Sequence, residues 1–133
     1  MARRLRKHEF RIVRAIRIGG NKLVSDKEIQ TIWEYEVRSD FIAQFITAYG
    51  PNGDWVKLFL KCPGFIKTEL KRDLDNPNRF VTIDYWQSYS AFSSMKQLIA
   101  TEYKDLDNQC EAYTLSENHI GIFEMVDNVE IGT

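Results

Sequence analysis

From Glu28 onward, apolar and polar residues alternate. Ile29, Thr31, Trp33, Tyr35 and Val37 occupy one set of positions, and Gln30, Glu34, Glu36 and Arg38 the other. A period of two predicts a strand with one apolar face. Phe41, Ile42, Phe45, Ile46 and Tyr49 then step by three and four, so a helix follows, with Ser39 or Asp40 placed to cap it. Gly50-Pro51-Asn52-Gly53 interrupts that helix. Asp54 can cap a second piece carrying Trp55, Leu58, Phe59 and Cys62, which Pro63-Gly64 stops. Alternation returns with Ile66, Thr68 and Leu70 against Lys67, Glu69 and Lys71, and again with Phe80, Thr82, Asp84 and Trp86 against Val81, Ile83 and Tyr85. The turn Asp75-Asn76-Pro77-Asn78 between these runs makes them a hairpin. Ser88 or Ser90 can cap the next helix. Its stripe is the longest in the chain: Phe92, Met95, Ile99, Tyr103, Leu106, Cys110 and Tyr113. A last strand is expected from about His119 to Val126.

Strand, helix, two strands, helix, strand is the order of an α+β ferredoxin-like fold, β-α-β-β-α-β. A chain of 133 residues fits one such domain. We expect a basic N-terminal extension over 1–27, the domain over 28–126 and a tail over 127–133. Both faces of the later strands carry apolar groups. One face can pack on the chain's own helices, and the other needs a cover, most simply a second copy. The expected assembly is therefore a two-fold homodimer with sheets face to face, a dimeric α/β barrel, although Glu34, Glu36 and Asp84 weigh against a fully apolar face.

Charge changes the picture at one end only. Residues 1–27 hold nine basic side chains against two acidic ones, and the rest holds nine against seventeen, for a net charge of −1. An arginine-rich arm attracts phosphates, so a nucleic-acid or membrane-surface contact, an organelle-targeting presequence and a merely solvated extension are all open. Any nucleic-acid contact is confined to that arm. No apolar run reaches a membrane span and no signal-peptide pattern is present, so a cytoplasmic location is expected. Cys62 and Cys110 fall on apolar stripes and read as reduced core thiols. The two histidines, His8 and His119, form no Cys/His cluster, so no metal site is expected.

Particular residue groups go further than element order. They are Tyr35-Glu36-Val37, Tyr49-Gly50-Pro51-x-Gly53-x-Trp55 with Leu58-Phe59, Gly64-Phe65, Thr68-Glu69-Leu70, Arg79-Phe80, Asp84-x-Trp86-x-Ser88, and Glu117 with Gly121. Together they resemble the antibiotic biosynthesis monooxygenase superfamily of dimeric α/β barrels, in a subgroup with no established reaction. The resemblance runs from about residue 28 to 126. It implies a pocket between sheet and helices and, among members with activity, oxidation of phenols and quinols by molecular oxygen, often without metal or flavin. Haem-degrading relatives use an asparagine on the first strand, plus a tryptophan and an axial histidine on the last helix. Here the first strand has Glu34-Tyr35-Glu36 and the helix positions are Met95 and Asp105, so that mechanism is not expected.

The resemblance thus implies a cofactor-independent monooxygenase acting on a small apolar, aromatic or quinol substrate. Tyr35, Tyr49, Asp84 and His119 are candidates to hydrogen-bond the substrate or take its proton. Trp33, Trp55, Phe59, Trp86 and Phe92 could line the pocket, although large aromatics are more often core. Asp84 is the odd residue: a carboxylate at an inward strand position must pair with a base such as Arg79 or Arg72, or face a cavity. The alternative is a non-catalytic dimeric barrel that binds a small ligand or serves in assembly.

Overall fold

In the computed structural model, which describes residues 27–127, the first alternating run is strand β1 (Ile29–Val37). Every second residue from Ile29 is buried and those between are half-buried. After a single 3-10 turn at Ser39–Phe41 come helices α1 (Ile42–Tyr49) and α2 (Asp54–Phe59), strands β2 (Phe65–Arg72) and β3 (Arg79–Trp86), helices α3 (Tyr89–Leu98) and α4 (Ala100–Cys110), and strand β4 (Thr114–Glu124). The four strands form one antiparallel sheet in the order β2-β3-β1-β4. This is the expected α+β ferredoxin-like arrangement, with the sequence's first strand at the centre. The helices supply Phe45, Tyr49, Trp55, Phe59, Phe92, Met95, Ile99 and Tyr103 to a single core shared with β1 and β3. The basic arm and the end of the tail lie outside the described residues. Among the described residues no helix is long and apolar enough to cross a membrane.

Several boundaries differ from the sequence expectation. The stripe from Phe92 to Tyr113 is not one helix. It divides at Ile99, whose backbone (φ −128°, ψ 34°) leaves the helical region. Neither proline nor glycine marks that point, and the buried stripe continues through it. Strand β4 starts at Thr114, five residues before His119, because it pairs with β1 along its whole length, from Val37 opposite Thr114 to Ile29 opposite Glu124. Its Ser116–Asn118 stretch is polar, as an edge strand tolerates, and so hides the alternation. In β2 a register shift between Phe65 and Lys67 sets Phe65 opposite Trp86 and leaves Ile66 exposed. Ser39 and Asp40 do not cap α1; they belong to the preceding turn. Asp54 is the first residue of α2, not its cap, and places its carboxylate in the first turn, where the helix dipole favours it. The cap position is Gly53, where any Cβ would strike the Thr47 and Ala48 carbonyls. Ser88 caps α3 as expected, its Oγ accepting the Ala91 N–H at 3.1 Å.

The outer face of the sheet, away from the helices, balances its own charges. Arg79 bonds Glu34 at 2.6 Å and Asp73 at 3.0 Å, and Glu69 draws Lys67, Lys71 and the Tyr85 hydroxyl. Between them run the half-buried Ile32, Val81, Ile83 and Tyr85, and Phe123 stands exposed beside Gln30.

Two outcomes follow from these contacts. Gly64 has φ +93°, and a side chain there would collide with the Ala91 methyl. Gly64→Ala should lower the unfolding free energy by about 1–3 kcal/mol in urea titrations. The second concerns acid. The Tyr85 hydroxyl holds the Glu69 carboxyl below its ordinary value, and the Asp75 N–H, followed by Arg79, does the same for Asp73. A depressed carboxyl stabilises the fold fully above its unfolded value and loses that contribution as pH falls, so the urea midpoint should drop below about pH 4. Asp73→Asn should shallow that drop; an unchanged slope would remove the hairpin network from the account.

Candidate functional site

Antiparallel pairing turns the inward residues into cross-strand rows. Ile29, Trp86 and Phe65 form one, Thr31, Asp84 and Thr68 the next, and Trp33, Thr82 and Leu70 the third. The second row is wholly polar, within a face that is otherwise aromatic and aliphatic apart from Thr82. Asp84 is 5% exposed, and Thr31 and Thr68 are buried with it. The Thr68 hydroxyl donates to Asp84 Oδ1 at 2.7 Å and the Thr31 hydroxyl to Oδ2 at 3.4 Å. Among the described residues no lysine, arginine or histidine is ion-paired with Asp84. Neither partner suggested by the sequence reaches it. Arg79 is taken up by Glu34 and Asp73 on the outer face. Arg72 gives its Nε–H to the Pro77 carbonyl and lies over the Phe80 ring.

Tyr35 is fully buried and its hydroxyl lies 3.1 Å from Thr82 Oγ1, on the neighbouring row. Its ring meets Phe45 and Tyr49 edge-on, and Tyr49 stacks on Phe45 at 4.2 Å. Trp55 extends this cluster towards Tyr103 and Phe59. Phe59 leads to Trp86, and Trp86 to Phe65 and Phe92. The proposed walls Trp55, Phe59, Trp86 and Phe92 thus come together as one aromatic layer against the inner face. Trp33 belongs to the same core and lies tilted against His119, with ring centroids 4.6 Å apart. His119 sits on β4, with all of β1 between it and β3, so it is not brought to Asp84. Tyr49 lies at the end of α1 within the aromatic layer.

The threonines were invisible as site residues in the sequence. Thr31, Thr68 and Thr82 occupy inward positions and pass for ordinary strand formers; only the register sets two of them on either side of one carboxylate. Cys62 and Cys110 are buried and unbridged. Burial, and then the charge of Glu102, pushes the Cys62 thiol up, which leaves it a poor nucleophile. Among the described residues no three His, Cys, Asp or Glu side chains converge as a metal-holding group. A separate groove of about 480 Å³ lies at the surface between the start of β2 and α3, lined by Pro63, Gly64, Gln87, Ser90, Ser94 and Leu98 among others. None of the candidate catalytic or pocket residues lines it.

The sequence model of the antibiotic biosynthesis monooxygenase family matches residues 31–98, a span that runs from Thr31 through Asp84 to the end of α3. No curated protein matches the chain. Among solved structures, SnoaB from Streptomyces nogalater, a cofactor-independent oxygenase, is similar with a TM-score of 0.59 and 21% identity, over 77% of this chain and 97% of that one. A protein of Nitrosomonas europaea, provisionally designated an antibiotic biosynthesis monooxygenase, gives 0.60 and 15%, over 77% and 93%. A conserved protein of Methanosarcina mazei Go1 gives 0.61 and 13%, over 74% and 93%. At these identities the likeness is one of fold.

The Tyr35–Thr82 contact can be measured alone. In a double-mutant cycle with Tyr35→Phe and Thr82→Val, the coupling should be about 0.5–1.5 kcal/mol, the value of one buried neutral hydrogen bond. A coupling of zero would mean that the two hydroxyls are satisfied elsewhere.

Proposed function

This chain belongs to the antibiotic biosynthesis monooxygenase family, and on that premise we propose that it is a cofactor-independent monooxygenase of a small electron-rich phenol or quinol bound against the inner sheet face. The observation that carries this is Asp84. It is a buried carboxylate held by two neutral hydroxyls and, among the described residues, by no cation, in a face flanked by Trp33 and Trp86. A carboxylate retained only for packing needs a counter-charge to offset its desolvation. One kept to receive a proton needs to stay unneutralised and close to the substrate. The description of SnoaB as a cofactor-independent oxygenase supports the same chemistry.

The reaction needs little from the protein. A substrate hydroxyl gives its proton to Asp84. The arene anion passes one electron to molecular oxygen, and the resulting radical and superoxide combine into a carbon–peroxide bond. The O–O bond then breaks: one oxygen stays on carbon as a carbonyl, and the other leaves as water with protons from the substrate carbon and Asp84. The tryptophan and tyrosine rings orient the arene and exclude water, and the Tyr35–Thr82 pair offers a second polar contact. The expected homodimer would form through the outer face. There, charges already satisfied within the sheet leave the strip of Ile32, Val81, Ile83 and Tyr85 free to be covered.

One observation favours a second reading. Trp55, Phe59, Trp86 and Phe92 are each buried and pack against one another or their neighbours, as the core of a non-catalytic binding or assembly barrel would. Oxygen uptake decides between the two. With quinols and anthrones in metal-free buffer, the protein should consume one oxygen molecule per carbonyl formed, and Asp84→Asn should lower kcat about 10²- to 10⁴-fold. No uptake across the panel favours the binding barrel; uptake unaffected by Asp84→Asn removes Asp84 from the reaction.

A further inference from the structure

The two oxygens of Asp84 are not equivalent. Oδ1 accepts from Thr68 at 2.7 Å, the usual length of a good O–H···O bond, whereas Oδ2 has, among the described residues, the 3.4 Å contact from Thr31 alone. From this asymmetry we infer that the two threonines have opposite roles: Thr68 is the positioning residue that fixes the carboxylate plane, and Thr31 is a place-holder that the substrate hydroxyl displaces from Oδ2. Oδ2 is then the atom that takes the proton. This rests on the oxygenase reading and adds to it an assignment of atoms.

The fold explains why the roles divide this way. Thr31 lies on the central strand β1 and Thr68 on the edge strand β2, one on each side of Asp84. Thr68 keeps the register that runs unbroken from the hairpin, Arg72 opposite Phe80 through Thr68 opposite Asp84 to Lys67 opposite Tyr85, so the hairpin pairing delivers the donor to Oδ1. The shift beyond Lys67 acts only past that point, where it sets Phe65 rather than Ile66 opposite Trp86. On the Oδ2 side, a hydroxyl at 3.4 Å is long enough to be exchanged for a better donor at little cost. A phenol proton is such a donor, being more acidic than an alcohol's and ending in a charge-assisted bond. Trp33, diagonal to Asp84 on β1, and Trp86, next inward on β3, flank that row and are the rings an aromatic group attached to that hydroxyl would meet.

Two readouts separate this from a merely structural role. The first is binding of para-nitrophenol at a pH where the free phenol is un-ionised. The wild type should bring up the phenolate absorption band on binding, and Asp84→Asn should not. Thr68→Val takes a donor from the ionised carboxylate and leaves Asp84 the stronger base, so the band should not weaken and the positioning role is read in the kinetics. Thr31→Val should strengthen the band. The second is kinetic: Thr68→Val should lower kcat with KM little moved, Thr68→Ser should recover kcat, and Thr31→Val should lower KM because nothing need be displaced. Circular dichroism on each variant reports folding, and the serine variant tests the hydroxyl even where valine perturbs packing. The same change in kcat and in KM from Thr68→Val and from Thr31→Val would overturn the division of roles. Failure of the wild type to ionise the bound phenol would instead overturn the reading of Asp84 as proton acceptor, so the two failures are distinguishable.

Discussion

A carboxylate taken out of water costs several kcal/mol unless something replaces its hydration. In this chain that cost falls on Asp84, the middle residue of a row that crosses three strands. Two threonine hydroxyls replace part of the lost water, and among the described residues no cation replaces the rest. The arrangement is cheap only if the strands keep their register, because a one-residue slip would send Asp84 to the outer face and bring Ile83 or Tyr85 inward. Site and sheet are therefore one constraint. The pairing of β2, β3 and β1 that buries the aromatic face also gathers Thr31, Asp84 and Thr68.

The remaining structure serves that register. The outer face neutralises its charges locally through Arg79 and Glu69, so the sheet needs no distant partner for them. The close approach at Gly64, just before β2, lets α3 lie against the strand whose bulge sets Phe65 opposite Trp86. The α1–α2 break, with Gly53 resting on the Thr47 and Ala48 carbonyls, turns the chain sharply enough for Tyr49 and Trp55 to reach the same aromatic layer. That layer is continuous from Phe80 through Phe45, Tyr49, Trp55 and Phe59 to Trp86.

Much of this was legible in the sequence because periodicity reports burial. The alternation of β1 and β3, the helix break at Gly50–Gly53, the Ser88 cap and the hairpin all appear as read. Features set by pairing rather than by local pattern were not legible. The β2 bulge swaps Phe65 for Ile66 at the inward position, and either residue is apolar. The start of β4 is decided by its partner β1, and its own residues Ser116–Asn118 carry no alternation. The break at Ile99 has no helix-breaking residue to announce it. For the site, Asp84 stood out as a carboxylate at an inward position, but the sequence offered arginines as partners. Arg79 points to the opposite face and Arg72 is engaged at the Pro77 carbonyl and the Phe80 ring. Threonine is common in strands, so only cross-strand geometry reveals that two of them serve the carboxylate. His119 was noticed for its rarity, and the sheet order places it on the far side of β1.

The most direct test of the inner face as a ligand site is a crystal structure of the protein with a redox-inert fluorinated phenol. The account predicts the phenol oxygen within hydrogen-bond distance of Asp84 Oδ2, the Thr31 hydroxyl turned away, and the ring between Trp33 and Trp86. A phenol found only in the groove between Pro63 and Leu98, with the rings around Asp84 packed as they are without it, would contradict the account.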